Sequence, residues 1–149
     1  MTDFTSKKAL VIGGSRGIGA AIVRRFTGDG AQVAFTYAGS HDAAQARAAD
    51  TGATPIRSDA ADRQAVIDVV AAQGPLDILI VNAGALVMGD ALTLEADAVD
   101  RMIDINVRGP LYGMAAALPV FQAQGSGQFV NVLSTAGIKI VPTMGVYAG

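Results

Sequence analysis

Val11-Ile12-Gly13-Gly14-Ser15-Arg16-Gly17-Ile18-Gly19 lies between a short apolar run, Ala9 to Ile12, and a helix-like segment, Ala20-Ala21-Ile22-Val23-Arg24-Arg25-Phe26. A strand, a glycine-rich turn and a helix in that order form an anion cradle. Glycine lets the backbone approach a phosphate closely, and the helix N-terminus supplies unpaired N–H groups and partial positive charge. The same glycines could serve only a tight turn and close helix packing. The strand before them and the helix after them favour the cradle, so the stretch predicts dinucleotide binding.

Outward from this turn the chain alternates strand and helix. Lys8 to Ile12 reads as a first strand and Gly17 to Thr27 as its helix, stopped by Gly28-Asp29-Gly30. Gln32 to Tyr37, rich in β-branched and aromatic residues, is a second strand. Ser40 is a candidate N-cap for a helix running to about Asp50. Thr54 to Arg57 is a short third strand, and Asp62 to Gln73 has helical spacing with Val66, Val69 and Val70 on one side. Leu76 to Val81 is the apolar run expected of a central parallel strand. Glu95 to Gln124 reads as one long helix bent near Gly109-Pro110, and Gln128 to Leu133 as a fifth strand. The repeated alternation predicts an α/β fold. Its form is a Rossmann-type doubly wound parallel sheet with right-handed crossovers, one dinucleotide-binding domain over residues 1–149.

Composition narrows the function. Hydrophobic residues make up 51% of the chain and charged residues 16%, which suits a sheet buried on both faces. A net charge of -2 and scattered lysines and arginines give no electrostatic footprint for nucleic acid or an anionic membrane. The chain has no cysteine, so disulfides and thiolate metal sites are excluded, and no metal site is expected. Met1 to Lys8 lacks an apolar signal core and no run is long enough to span a bilayer, so a cytoplasmic protein is the expectation.

Four further motifs follow in order. They are Asn82-Ala83-Gly84 after the fourth strand, Asn106 in Ile105-Asn106-Val107-Arg108-Gly109, Ser134 in Val132-Leu133-Ser134-Thr135-Ala136-Gly137, and Tyr147. With the glycine turn, this set resembles the short-chain dehydrogenase/reductase family, whose turn reads TGxxxGxG. Ile12 stands where that family has threonine, which removes a hydroxyl that could tie the turn to the neighbouring strand. The resemblance covers essentially the whole chain. It implies an oxidoreductase passing hydride between a nicotinamide and a small carbonyl or alcohol substrate. Members that reduce 3-oxoacyl thioesters share this turn. It also implies a homodimer or homotetramer, with Met102, Met114, Leu118 and Phe121 serving either that interface or the core.

Cofactor choice rests on the end of the second strand. Thr36-Tyr37-Ala38-Gly39-Ser40 carries no carboxylate to accept from a ribose hydroxyl, so NADP(H) is expected over NAD(H). Arg16 would pair with the 2′-phosphate, or is a solvated loop cation. Tyr37, Ser40 and His41 lie beside it, and His41 reads equally as an exposed residue of the first helical turn. The resemblance further places Gly13, Ser15, Gly17, Ile18 and Gly19 along the phosphates and Asn82, Ala83 and Gly84 along the cofactor. It puts Asp59 at the adenine, although a solvated turn aspartate explains that residue nearly as well.

The resemblance makes Tyr147 the acid–base group, Ser134 the hydrogen-bond donor to the carbonyl oxygen, and Asn106 the residue that holds helix geometry and positions a relay water. A tyrosine of ordinary pKa, about 10, needs a nearby cation to work near neutrality. The family motif is YxxxK. Tyr147-Ala148-Gly149 begins it, and the lysine position falls two residues past Gly149. Lys139 reads as a solvated loop residue. The expectation is therefore the N-terminal part of a longer protein, with catalysis impaired without the remainder and apolar surface and strand edge bare near the fifth strand. One alternative is a nucleotide-binding regulator. Gly13 to Phe26, Phe35 to Ser40 and Ala61 to Val70 resemble members of the same family that bind cyclic-di-GMP, the likeness weakening after about Asp104. Arg101-x-x-Asp104 reads there as a helix-surface charge pair. A non-catalytic assembly subunit is the other alternative.

Overall fold

Five parallel strands stand in the order β3-β2-β1-β4-β5, so the chain winds outward one way from β1 and then crosses to the other side. In the computed structural model, which describes residues 3–90, 92–139 and 141–149, these are β1 (Lys8–Ile12), β2 (Gln32–Tyr37), β3 (Thr54–Arg57), β4 (Ile78–Val81) and β5 (Gln128–Asn131). The helices are α1 (Gly17–Gly28), α2 (His41–Thr51), α3 (Arg63–Ala72), α4 (Ala96–Ile103), α5 (Gly109–Gln124) and the short α6 (Gly145–Ala148).

Side-chain alternation along the central strands builds two cores. Ala9, Val11, Phe35, Ile78 and Ile80 pack with Val23 of α1 and Ala44 of α2. Leu10, Ile12, Leu79 and Val81 pack with Val66 and Val70 of α3 and Ala117 of α5. The outer strand β5 is covered less. Leu133 and Ile138 beyond it are 80% and 90% exposed.

Four boundaries differ from the sequence reading. The fourth strand begins at Ile78, because the Leu76 backbone pairs with the Gln124 side-chain amide at the end of α5 (3.1 and 2.9 Å). The fifth strand ends at Asn131, and Ser134 lies beyond it, capping a short turn over Thr135–Gly137. The expected long helix breaks ahead of Gly109-Pro110. A single π turn, Asp104–Arg108, joins α4 to α5, and Pro110 sits in the first turn of α5, where a missing N–H costs little. Asp62, expected as the first helical residue, is the N-cap of α3, its carboxylate accepting from the Gln64 and Ala65 N–H groups. Among the described residues no helix is long and apolar enough to cross a membrane.

The glycine turn is stitched to both neighbouring strands. The Gly13 N–H donates to the Thr36 hydroxyl on β2 at 3.0 Å, and Gly14 N–H to the Thr36 carbonyl at 2.9 Å. Thr36 thus supplies, from the next strand, the hydroxyl that Ile12 cannot. On the other side the Asn82 side-chain amide donates to the Gly13 carbonyl at 2.8 Å, and Ala83 N–H to the Ile12 carbonyl at 2.8 Å. Gly13 has φ +85°, and a Cβ there would lie 2.8 Å from the Ala83 backbone, so no side chain fits. Thr36 is 3% exposed, which keeps water from replacing its hydroxyl. Thr36→Val preserves shape but strands the Gly13 donor. It is expected to lower unfolding stability by about 1–3 kcal/mol in denaturant titration, with the denaturant slope unchanged.

Candidate functional site

The turns that follow the strands line a trough at their carboxyl ends, where the strand order reverses. One part is a cleft of 350 Å³ walled by Gly13, Ser15 and Arg16 after β1, Tyr37, Gly39 and Ser40 at the end of β2, Asp59 after β3, and Arg101 opposite. The other is a cleft of 500 Å³ that includes Ile18, Asn106, Ser134 and Tyr147. Asn82, Ala83 and Gly84 line both, so the two are continuous.

Ser15 and Arg16, the N-cap residue of α1, line the first cleft. Ala20 N–H reaches back to the Arg16 carbonyl, while the three preceding N–H groups fall in the turn that has no intrahelical acceptor. Arg16 is exposed at this end. Ser40 occupies the N-cap position of α2, yet its side chain makes no capping bond, so its hydroxyl is available to the cleft. The buried Tyr37 hydroxyl is joined to Nδ1 of the exposed His41 at 3.0 Å. Gly17 and Gly19 do not line either cleft. Gly19 is buried beneath the Gly13 carbonyl and the Asn82 amide and shapes the turn from behind. Ile18 is 65% exposed and lies in the second cleft rather than with Ser15 and Arg16.

Asp59 is not a solvated turn residue alone. Its carboxylate accepts from the Ala61 N–H at 3.0 Å and from the Arg101 guanidinium at 3.1 and 2.9 Å. Arg101 therefore pairs across the cleft with Asp59, and not with Asp104 as helical spacing suggests; Asp104 pairs with Arg108 one turn on. Partial burial works to raise the Asp59 pKa, and the Arg101 and Ala61 hydrogen bonds outweigh it, holding the carboxyl below its usual range. Sequence reasoning missed Arg101 and Thr36 as cleft residues, since both act through partners far away in the chain.

In the second cleft the Asn106 side chain is fully engaged. Its Oδ1 accepts from Ala85 N–H at 2.9 Å and its Nδ2 donates to the Ala85 carbonyl at 2.7 Å. It thus clamps the loop after β4 to the π turn rather than bonding within its own helix. The Met102 sulfur, one turn earlier, accepts from Val87 N–H at 3.4 Å. Pro110 has no N–H, so the Asn106 main-chain carbonyl lacks its usual donor four residues on. Ser134 Oγ accepts from Ala136 N–H at 3.1 Å, which leaves its own proton free to donate. Tyr147, on α6, lines the same cleft. No lysine or arginine is among its described lining residues, Lys139 included.

A further cleft of 430 Å³ lies at the amino ends of the strands, around Gln32 and Thr54. Lys8 is the one charged residue among its described lining residues, and the Lys8 ammonium donates to the Gln73 carbonyl at 2.8 Å. Among the described residues there is no cluster of three potential metal ligands.

The family model for short chain dehydrogenase matches residues 7–149. The cyclic-di-GMP-binding biofilm dispersal mediator protein of Escherichia coli K12 is 52% identical over 149 residues, covering 99% of this chain and 62% of its own length. That alignment extends over the whole chain. A crystal structure of BdcA in complex with NADPH superposes with a TM-score of 0.91 at 51% identity, covering 97% of this chain and 59% of that one. A blue fluorescent protein from a metagenomic library, also in complex with NADPH, gives a TM-score of 0.87 at 34% identity, covering 99% and 64%. The chain spans about three fifths of the length of these proteins.

The Asp59 pair carries a pH signature. Its folded pKa lies below the ordinary 3.8, so its contribution to stability is complete above that value and is lost as pH falls through the lower folded value. Denaturation midpoints of wild type and Asp59→Asn are expected to differ at pH 6 and to converge as the pH drops below about 3.8.

Proposed function

The chain belongs to the short chain dehydrogenase family, and we propose that it forms the cofactor-binding and proton-transfer part of an NADP(H)-dependent oxidoreductase acting on a small carbonyl or alcohol. The observation that carries this reading is the continuous trough. It has Arg16, Ser15 and Ser40 at one end with no carboxylate at the tip of β2, and Ser134 and Tyr147 at the other. The cleft fits such a cofactor. A Cβ placed on Gly39, which lines the first cleft, would meet nothing within 4 Å, so the backbone there is open to a ligand. Both structural relatives in complex with NADPH bring the same cofactor to this fold.

In this reading the bound nicotinamide supplies or accepts the hydride. The α1 N-terminus and Ser15 hold the pyrophosphate, and Gly13, Gly17 and Gly19 keep the turn open for it. Arg16 and Ser40 hold the 2′-phosphate. Asn82, Ala83, Gly84 and Ile18 lie where the two clefts meet and orient the reactive end. Ser134 donates its free proton in a hydrogen bond to the carbonyl oxygen. The Tyr147 hydroxyl passes its proton to that oxygen and is left as phenolate, or, in the reverse direction, the phenolate takes the proton of an alcohol. The Asn106 carbonyl accepts a water that relays protons to solvent. A 3-oxoacyl thioester is the substrate class favoured by likeness of the glycine turn.

The name of the 52% identical relative favours a second reading, in which the same cleft takes cyclic-di-GMP. Calorimetry separates the two. Saturable heat with cyclic-di-GMP that NADPH abolishes supports a shared cleft, and no heat at high ligand concentration removes the regulator reading.

For the intact protein, NADPH is expected to bind about tenfold or more tightly than NADH. Arg16→Ala should erase most of that difference, because a charge-assisted bond to phosphate is worth roughly 1.5–3 kcal/mol. Equal wild-type affinities would contradict the assignment. Tyr147→Phe should reduce turnover by roughly 100-fold or more while leaving NADPH affinity within about twofold. Turnover kept at wild-type level would show that another group moves the proton.

A further inference from the structure

We propose that Thr143 is the positioning residue for Tyr147: its left-handed backbone, held by the Gly89 N–H, sets where α6 enters the second cleft. This rests on the reading of Tyr147 as the proton-transfer group and adds to it the device that aims that group.

Thr143 has φ +66°, a conformation that β-branched residues rarely adopt. The turn around it explains the angle. Met144 N–H donates to the Val141 carbonyl at 3.2 Å, with Pro142 and Thr143 as the two central residues. Proline fixes a negative φ at the first of these, and a positive φ at the second makes a type II turn. The second central position of such a turn takes glycine or asparagine without strain, and threonine only with it. Two bonds oppose relaxation. The Thr143 hydroxyl donates to the Pro142 carbonyl, and the Thr143 carbonyl accepts from the Gly89 N–H at 2.9 Å.

The helix that carries Tyr147 starts directly after this residue. Met144 is the N-cap of α6, and the Ala148 N–H closes on the Met144 carbonyl at 2.8 Å. A helix of four residues does not hold a direction of its own. It rests on α4 and on the Thr135–Gly137 turn, and the backbone angles of Thr143 decide how it arrives there. A return of Thr143 to negative φ would swing Tyr147 away from Ser134, which lines the same cleft.

Gly89 belongs to the loop after β4, and that loop is tied at three points. Ala85 N–H donates to Asn106 Oδ1 at 2.9 Å, Val87 N–H to the Met102 sulfur at 3.4 Å, and Gly89 N–H to Thr143. The donors are alternate residues, as an extended chain presents them. A Cβ on Gly89 would lie 2.9 Å from a Leu94 methyl, so the loop is closely packed where it meets the turn. The same loop begins at Asn82-Ala83-Gly84, which line both clefts. The segment that orients the nicotinamide and the helix that carries the proton donor are thereby referenced to one stretch of backbone.

The test reads the distance between Tyr147 and the nicotinamide without a substrate. NADP⁺ and NADPH carry the same phosphates and differ at the ring by one positive charge. With the ring beside it, Tyr147 holds its proton less tightly in the NADP⁺ complex. The intact protein, isotope-labelled at tyrosine Cζ, is titrated by NMR in each complex, and the Tyr147 signal is identified by its loss in Tyr147→Phe. Wild type is expected to hold the proton about tenfold less tightly with NADP⁺. Thr143→Gly, which keeps the positive φ without strain, should retain that ratio. Thr143→Pro, whose ring fixes φ near about −65°, should bring it to within about twofold of one. Thr143→Val keeps the shape and loses the hydroxyl, and should bring the ratio part of the way. Where Thr143→Pro does not fold, the valine variant decides. A wild-type ratio kept in full by Thr143→Pro and Thr143→Val, or lost in Thr143→Gly, overturns the assignment of Thr143 alone. Wild type that binds both cofactors with one and the same Tyr147 titration overturns the proton-transfer reading and this assignment with it.

Discussion

The join between the first glycine turn and the end of β4 governs the rest of the molecule. Asn82 and Ala83 donate to the Gly13 and Ile12 carbonyls, and Gly13 leaves just enough room for the Ala83 backbone. In an open parallel sheet the strands on either side of the reversal diverge, and the turns above them separate. Here hydrogen bonds draw the two turns back together. The trough exists because the chain parts at this point and is then held at a fixed width. Thr36 completes the frame from β2, so the turn is fixed from both sides before any ligand arrives. Preorganised backbone donors lose less entropy on binding, which is what an anion cradle requires.

A second constraint is set by the π turn between α4 and α5. An uninterrupted helix would carry Asn106 past the trough at another angle. The wider turn over Asp104–Arg108 rotates it inward, and its amide meets the Ala85 N–H and carbonyl as a neighbouring strand would. The loop after β4 has no strand pairing of its own, so these bonds satisfy backbone that would otherwise depend on water. The same turn sends Arg101, one turn earlier, over the first cleft toward Asp59. One irregular turn thereby places a side chain in each half of the trough.

Much of this was legible in the chain. Strand alternation and helical spacing are local signals, and apolar runs such as Ile78–Val81 leave no choice but a doubly covered strand. The glycine turn, Asn82-Ala83-Gly84 and Ser134 each follow a strand, and the topology brings those ends together, with Tyr147 of α6 lining the same cleft as Ser134. What escaped was non-local. Leu76 leaves the sheet because Gln124, 48 residues on, takes its backbone bonds. Thr36 replaces the hydroxyl missing at Ile12 from a different strand, and Arg101 finds Asp59, 42 residues before it, instead of Asp104. The π turn was invisible for a related reason. Proline at 110 signals a break, but the position of the wider turn is decided by the Asn106–Ala85 contact, which no local pattern encodes.

The two clefts also differ electrically. The first carries the charged side chains Arg16, Arg101 and Asp59. The second is lined mainly by apolar side chains, among them Ile18, Met102, Val107 and Leu133, with Asn106, Ser134 and Tyr147 set into it. Charge and hydroxyl chemistry are thus kept apart along one trough. A phosphate gains most from fixed cations and helix N-termini, whereas a proton passed between hydroxyls gains from a site where few other dipoles compete. Placing Asn82, Ala83 and Gly84 at the boundary puts short, tightly bonded residues where the two environments meet. A long or charged side chain at Gly84 would carry the polarity of the first cleft into the second, so the boundary is maintained by the smallness of these residues as much as by their hydrogen bonds.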